Sequence, residues 1–107
     1  MAYDEALADR IRELLAGEEG IAEQKMFGGL AFLVHGNMAV AASGQGGALV
    51  RVDPAESARL VETTGAEEMV MRGRPMAGWL RVEPGEDELP GWVERGVSYA
   101  RSLPPKR

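Results

Sequence analysis

The sequence predicts an α+β fold of two layers, an antiparallel sheet with the helices packed on one of its faces. Three observations predict it. Apolar residues near both ends recur with the 3.6-residue period of amphipathic helices. Residues in the middle alternate with the period of two that strands require. Short turns rich in glycine join most of the strand-like runs, which favours antiparallel neighbours over parallel ones. The element order read from these patterns is α-β-β-β-α-β-β-α in a single domain over residues 1–107.

The first helix spans Asp4 to Ala16, with Leu7, Ile11, Leu14 and Leu15 on one stripe, Asp4 and Glu5 at its positive start and Gly17 as its stop. After a polar connector, Leu30, Phe32 and Val34 are predicted to share one face of a strand, with Ala31 and Leu33 on the other. A strand apolar on both faces belongs inside a sheet. Gly36 and Asn37 are expected to form a two-residue hairpin loop. Met38, Val40 and Ala42 then alternate with Ala39 and Ala41 along the second strand. The loop SGQGG, Ser43 to Gly47, leads to a third strand, Ala48 to Val52, with Val50 and Val52 facing together.

Asp53, Pro54 and Glu56 spell a helix start, as N-cap, first helical residue and first-turn acid, and Gly65 closes that helix. Glu68 to Met71 reads as a short strand, RGRP as a turn and Met76 to Val82 as the last strand. The final helix, from about Asp87 to Leu103, carries Leu89, Trp92, Val93, Gly96, Val97 and Ala100 on one stripe before Pro104 and Pro105 end it. A glycine inside such a stripe costs about 1 kcal/mol of helix propensity relative to alanine, so Gly96 is expected where the helix approaches the sheet closely.

Composition narrows the function. A chain of 107 residues with 45% hydrophobic and 27% charged residues resembles an ordinary globular domain. With no cysteine, disulfides, thiolate metal sites and cysteine nucleophiles are excluded. No cofactor and no metal site are expected. The acidic N-terminal stretch and the shortness of every apolar run point to the cytoplasm and away from a membrane. A net charge of −5 makes a free-standing nucleic-acid binder a poor fit, because such binding rests on cations displacing counterions from phosphate.

Individual residues give few chemical leads. His35, the one histidine, is a candidate general base, but no nucleophile stands near it in sequence and a turn position is expected. Gly28 and Gly29 fit neither the dinucleotide nor the P-loop pattern, and a bulge or bend is the expectation. Arg72 and Arg74 flank a turn and, with Lys25, Arg51 and Arg81, offer a basic strip across the open sheet face that could contact an anion or nucleic acid; ordinary solvated charges are the plainer reading. The acidic runs at Glu67 and Glu68 and from Glu83 to Glu88 match no calcium loop. Trp79 and Trp92 are assigned to packing, with a ligand pocket around Trp79, Arg74 and His35 as the alternative. If Phe27, Leu33 and Leu49 face outward on the uncovered side of the sheet, that face is too apolar for a monomer, and a homodimer is expected.

The stretch KMFGGLAFLVHGNMAV, the LVRVD before the second helix, the GAE after it, the GRPM turn followed by Trp79, Val82 and Pro84, and the final helix with its tryptophan resemble the TfoX N-terminal domain family from about Asp4 to Ala100. The resemblance implies a two-layer α+β fold similar to the secretion-chaperone and YjbR-like folds, in a stand-alone N-terminal domain. It also implies a non-enzymatic regulatory role through a protein partner in bacterial transcription, on the pattern of competence regulators that act with the cyclic-AMP receptor protein. It brings no catalytic residues.

Overall fold

Asp4 accepts a hydrogen bond from the backbone N–H of Leu7 and starts α1 (Glu5–Leu15). The computed structural model describes residues 3–26, 28–44 and 46–105. After α1 the chain runs through β1 (Ile21–Met26), β2 (Gly29–Val34), β3 (Asn37–Ala42), β4 (Ala48–Arg51), α2 (Pro54–Thr64), β5 (Glu67–Met71), β6 (Arg74–Val82) and α3 (Leu89–Ser102). The strands form one sheet in the order β1-β2-β3-β4-β6-β5, every neighbouring pair antiparallel. The α+β class and the order of elements are those the sequence predicts, with one strand added at the front.

The added strand is β1. Its side chains between Ile21 and Met26 are mostly exposed, because it lies at the sheet edge, so its sequence lacks the alternation that marks β2 and β3. A polar clamp holds it to the helix layer. Arg12 of α1 grips both carboxylate oxygens of Glu23, at 2.6 and 2.9 Å, and also reaches Asp9. This two-pronged bond to Arg12 holds the Glu23 carboxyl below its ordinary pKa.

The main core lies between the sheet and all three helices. Ile11 of α1, Leu60 of α2 and Trp92, Val93 and Val97 of α3 pack on Leu30, Phe32, Val34, Val40, Val50 and Leu80. All six residues of the predicted α3 stripe are buried. A Cβ added at Gly96 would overlap the carbonyl oxygen of Ala39, so the missing side chain lets α3 lie directly on β3. The start of α2 is as read: Asp53 accepts from the Ala55 N–H, Pro54 opens the helix and Gly65 ends it in the left-handed region.

Three turns differ from expectation. The β2–β3 loop consists of His35 and Gly36, both with positive φ, and Asn37 is already paired with Val34. Asn37 is buried, and its side-chain NH2 donates to the carbonyl of Pro104, which pins the segment after α3 to this hairpin. Gly28, also with positive φ, lies in the connection between β1 and β2, and Gly29 opens β2 opposite Met26, so the pair does not make a bend within one strand. A Cβ on Gly29 would overlap the carbonyl of Ala42, so the paired glycines serve one turn and one close strand crossing.

The irregularity lies further along, where the β2–β3 register shifts between Phe32 and Leu33 and leaves Ala39 without an opposite residue. Val40 therefore stays with Phe32 in the helix-side core while Met38 joins Leu33 on the other face. Strict alternation had put Met38 and Val40 together. The predicted RGRP turn is likewise shorter than read: Arg72 and Gly73 make it, and Arg74 with Pro75 already belongs to β6.

Candidate functional site on the open face of the sheet

The face of the sheet away from the helices carries a second apolar cluster. Ala31, Met38, Ala41 and Leu49 are buried there, with Met26, Leu33, Met69 and Trp79 packed around them and partly exposed. No helix covers these residues; long, pliable methionine side chains at the margins close over a floor of small ones. The result is a groove of about 330 Å³, with Gly29, Ala31 and Ala41 among its floor residues, Met26 on one side and Met69 and Val70 on the other. Val70, on the edge strand β5, is 62% exposed. Leu33 and Leu49 thus face this side as expected, whereas Phe27 lies outside the described residues.

The five cations singled out from the sequence do not form one strip. Arg51 and Arg81 sit on β4 and β6, where Arg51 lies opposite Trp79 and Arg81 opposite Leu49 and Glu67. The Arg51 guanidinium stacks 4.9 Å from the Trp79 ring and 5.7 Å from that of Tyr99 on α3, so it caps one end of the cluster. Arg81 donates to the carbonyl of Gly46 at the other end. Arg72 and Arg74 stand at the tip of the β5–β6 hairpin. Lys25 is on the far edge strand opposite Leu30, a residue of the helix-side core, with three strands between it and β6. At about 4.8 Å per strand that is some 19 Å across the sheet, and Lys25 leaves from the other face.

The remaining candidates are dispersed as well. His35 is an exposed turn residue. None of the clefts of about 330, 560 and 650 Å³ is lined by His35, Arg74 or Trp79. Trp92 is core, with Arg95 stacked on its ring, while Trp79 belongs to the open face. The acidic groups have other tasks: Glu88 accepts from the Gly85 N–H, Glu86 pairs with Arg10, and Glu68 accepts from the buried Ser57 hydroxyl. A shallower cleft of about 650 Å³ between the end of α2 and the start of α3 mixes Glu67, Glu83 and Glu88 with Arg81 and Arg95.

Sequence reasoning missed Ser57 and the methionine margins. Ser57 is buried and accepts from the Gly78 N–H while donating to Glu68, which ties α2 to β6 and β5. Three of the six methionines meet there and signal nothing by spacing, because they come from three different strands. No helix among the described residues is long and apolar enough to cross a membrane.

In comparison with known proteins, the family model of the TfoX N-terminal domain matches residues 13–100. No curated protein and no solved structure matches the chain.

Proposed function

The chain belongs to the TfoX N-terminal domain family, and on that premise we propose that it is a non-enzymatic regulatory module that works in the bacterial cytoplasm through contact with another protein in competence-type transcription control. The observation that supports a contact role is the open sheet face. Apolar, methionine-margined and uncovered, it is the kind of surface that marks a protein interaction site. The dispersal of Lys25, Arg51, Arg72, Arg74 and Arg81 over two faces and two edges favours this reading over nucleic-acid binding.

A photo-reactive residue at Leu33, on the open face, and another at Ala58, exposed on α2, test the proposal in living cells. A defined partner crosslinked from position 33 and not from 58, together with altered expression of its target genes in a Leu33→Arg strain, is the expected result. Equal labelling from both positions, or unchanged expression in that strain, defeats it.

A further inference from the structure

We propose that β5 is a pairing edge for a second copy of this chain, the two β5 strands lying antiparallel about a two-fold axis at Met69. The pairing uses the rim of the sheet and not its open face, so it stands or falls apart from the contact role above.

The two rims differ. β1 and β5 both end the sheet, but β1 holds Glu23, Gln24 and Lys25 in its middle, with Glu23 clamped to Arg12. Charges inside an edge strand keep other strands away. β5 has no such guard: its two acids, Glu67 and Glu68, open the strand, Met69 and Val70 follow, and the next cation, Arg72, stands in the turn. Val70 is the large apolar side chain left exposed among the described residues. An uncharged stretch of edge strand, with its outer backbone groups unpaired, is a template for another strand.

The alternation of the ladder decides which backbone groups are free. Arg72 and Gly73 form a two-residue loop, so the flanking Met71 and Arg74 exchange hydrogen bonds; by alternation Met69 also turns its N–H and C=O inward to β6, while Glu68 and Val70 turn theirs outward. Pro75, which lacks an N–H, sits opposite Val70, where no bond is needed. Pairing about Met69 sets Glu68 of each copy against Val70 of the other, so every outward N–H of the two residues meets an outward carbonyl. The same register sets Glu67 beside the other copy's Met71 and next to its Arg72, so an acid lies by a cation at both ends. A foreign strand would have to carry that order of acid, apolar centre and base; a second copy has it by symmetry. On the open face Met69 meets Met69, and the two grooves, each bounded by Met69 and Val70, come to lie side by side.

The test follows the full chain by sedimentation over a range of concentrations. A reversible dimer is expected, and the amides of Glu68 and Val70 should exchange with solvent about tenfold more slowly where the dimer predominates. Val70→Pro removes an outward N–H that β6 does not use, and is expected to weaken the dimer about tenfold with helix content unchanged in circular dichroism. The chain has no cysteine, so Met69→Cys supplies a lone thiol set against its own copy, where Cβ atoms about 4.5 Å apart suit a disulfide. Under mild oxidation its linked dimer should form about tenfold faster than that of Ala58→Cys, on the exposed side of α2.

A monomer at every concentration, a dimer that Val70→Pro leaves as tight, or equal oxidation from positions 58 and 69 overturns the inference. So does a dimer that shifts the amide NMR signals of Ala31 and Ala41 and leaves Glu68 and Val70 unmoved, which puts the second copy on the open face. If Glu68 and Val70 become protected only when the partner crosslinked from Leu33 is present, the edge takes a strand of that partner: the second copy falls and the contact role stands.

Discussion

On the helix side of the sheet, Phe32, Val34, Val40, Val50 and Leu80 are at most 1% exposed, closed in by α1, α2 and α3. On the other side, Ala31, Met38, Ala41 and Leu49 reach 1 to 7% with no layer above them, shielded by their own neighbours. The same strands supply both faces; the first is filled mainly by valine, leucine and phenylalanine with alanines between them, the second by alanine, methionine and leucine with Trp79 at the margin. Near-complete burial is therefore reached in two ways, by interlocking with a second layer and by flexible side chains folding over small ones. Only the second leaves a surface that a partner can reopen, because methionines lose little by changing rotamer.

Truncation is the sharpest way to probe that difference. Phe32→Ala removes a ring enclosed by the helix layer and is expected to cost about 3 to 5 kcal/mol, whereas Met69→Ala on the open face is expected to cost about 1 kcal/mol, since part of that side chain is already in water. Urea denaturation of the two variants checks this. Equal losses would mean that the open face is as much a core as the other, and the distinction between the faces would be lost.

Gly96→Ala tests how tightly the covered face is closed. Alanine improves helix propensity by about 1 kcal/mol, but its Cβ would overlap the Ala39 carbonyl, and the backbone of β3 cannot give way as a side-chain tip could. A net destabilisation of about 1 to 3 kcal/mol in thermal unfolding is expected, and a stabilised variant would show that α3 does not lie on β3 as described. Ser57→Ala is expected to cost about 1 to 2 kcal/mol, because it leaves the buried Gly78 N–H without its acceptor. Hydrogen exchange at Gly78 should quicken in that variant, and unchanged exchange would remove the hydroxyl from the account.

The smallest effect belongs to the edge. The Arg12 bond depresses the Glu23 pKa in the folded chain, so its contribution is complete at pH above the ordinary carboxylate value of 4.5 and fades as pH falls through the lower folded value. Glu23 and Arg12 are both well exposed, and solvent screening keeps the gain small. Glu23→Gln should lower stability slightly at pH 7 and make no difference near pH 2, as read from denaturation midpoints at the two pH values. A loss of equal size at both would show that the bond acts through packing and not through charge.

Much of this architecture was legible along the chain. The α3 stripe, the Asp53–Pro54 helix start and the two-faced β2 all follow from local periodicity and capping chemistry, and the structure keeps them. β1 was not legible, because an edge strand with exposed side chains has no apolar alternation to betray it. Met38 was placed on the wrong face because one extra residue at Ala39 inverts the alternation that precedes it in β3. The site was harder still. Met26, Met38 and Met69 lie on β1, β3 and β5, and the supposed basic strip broke up once the strand order put Lys25 and Arg81 on opposite flanks.

The sequence by itself determined the three helices and five of the six strands, where most of them begin and end, and which side of α1 and α3 is buried, because caps, glycines and hydrophobic period act over a few residues. Tertiary structure alone decided that β6 sits between β4 and β5, that the carbonyl of Ala39 meets Gly96, that Asn37 holds Pro104, and that alanines and methionines from several strands share one uncovered face. These depend on pairings between residues far apart in the chain, whose closeness is fixed by the packing of the whole sheet against its helices and leaves no mark on the local pattern of either partner.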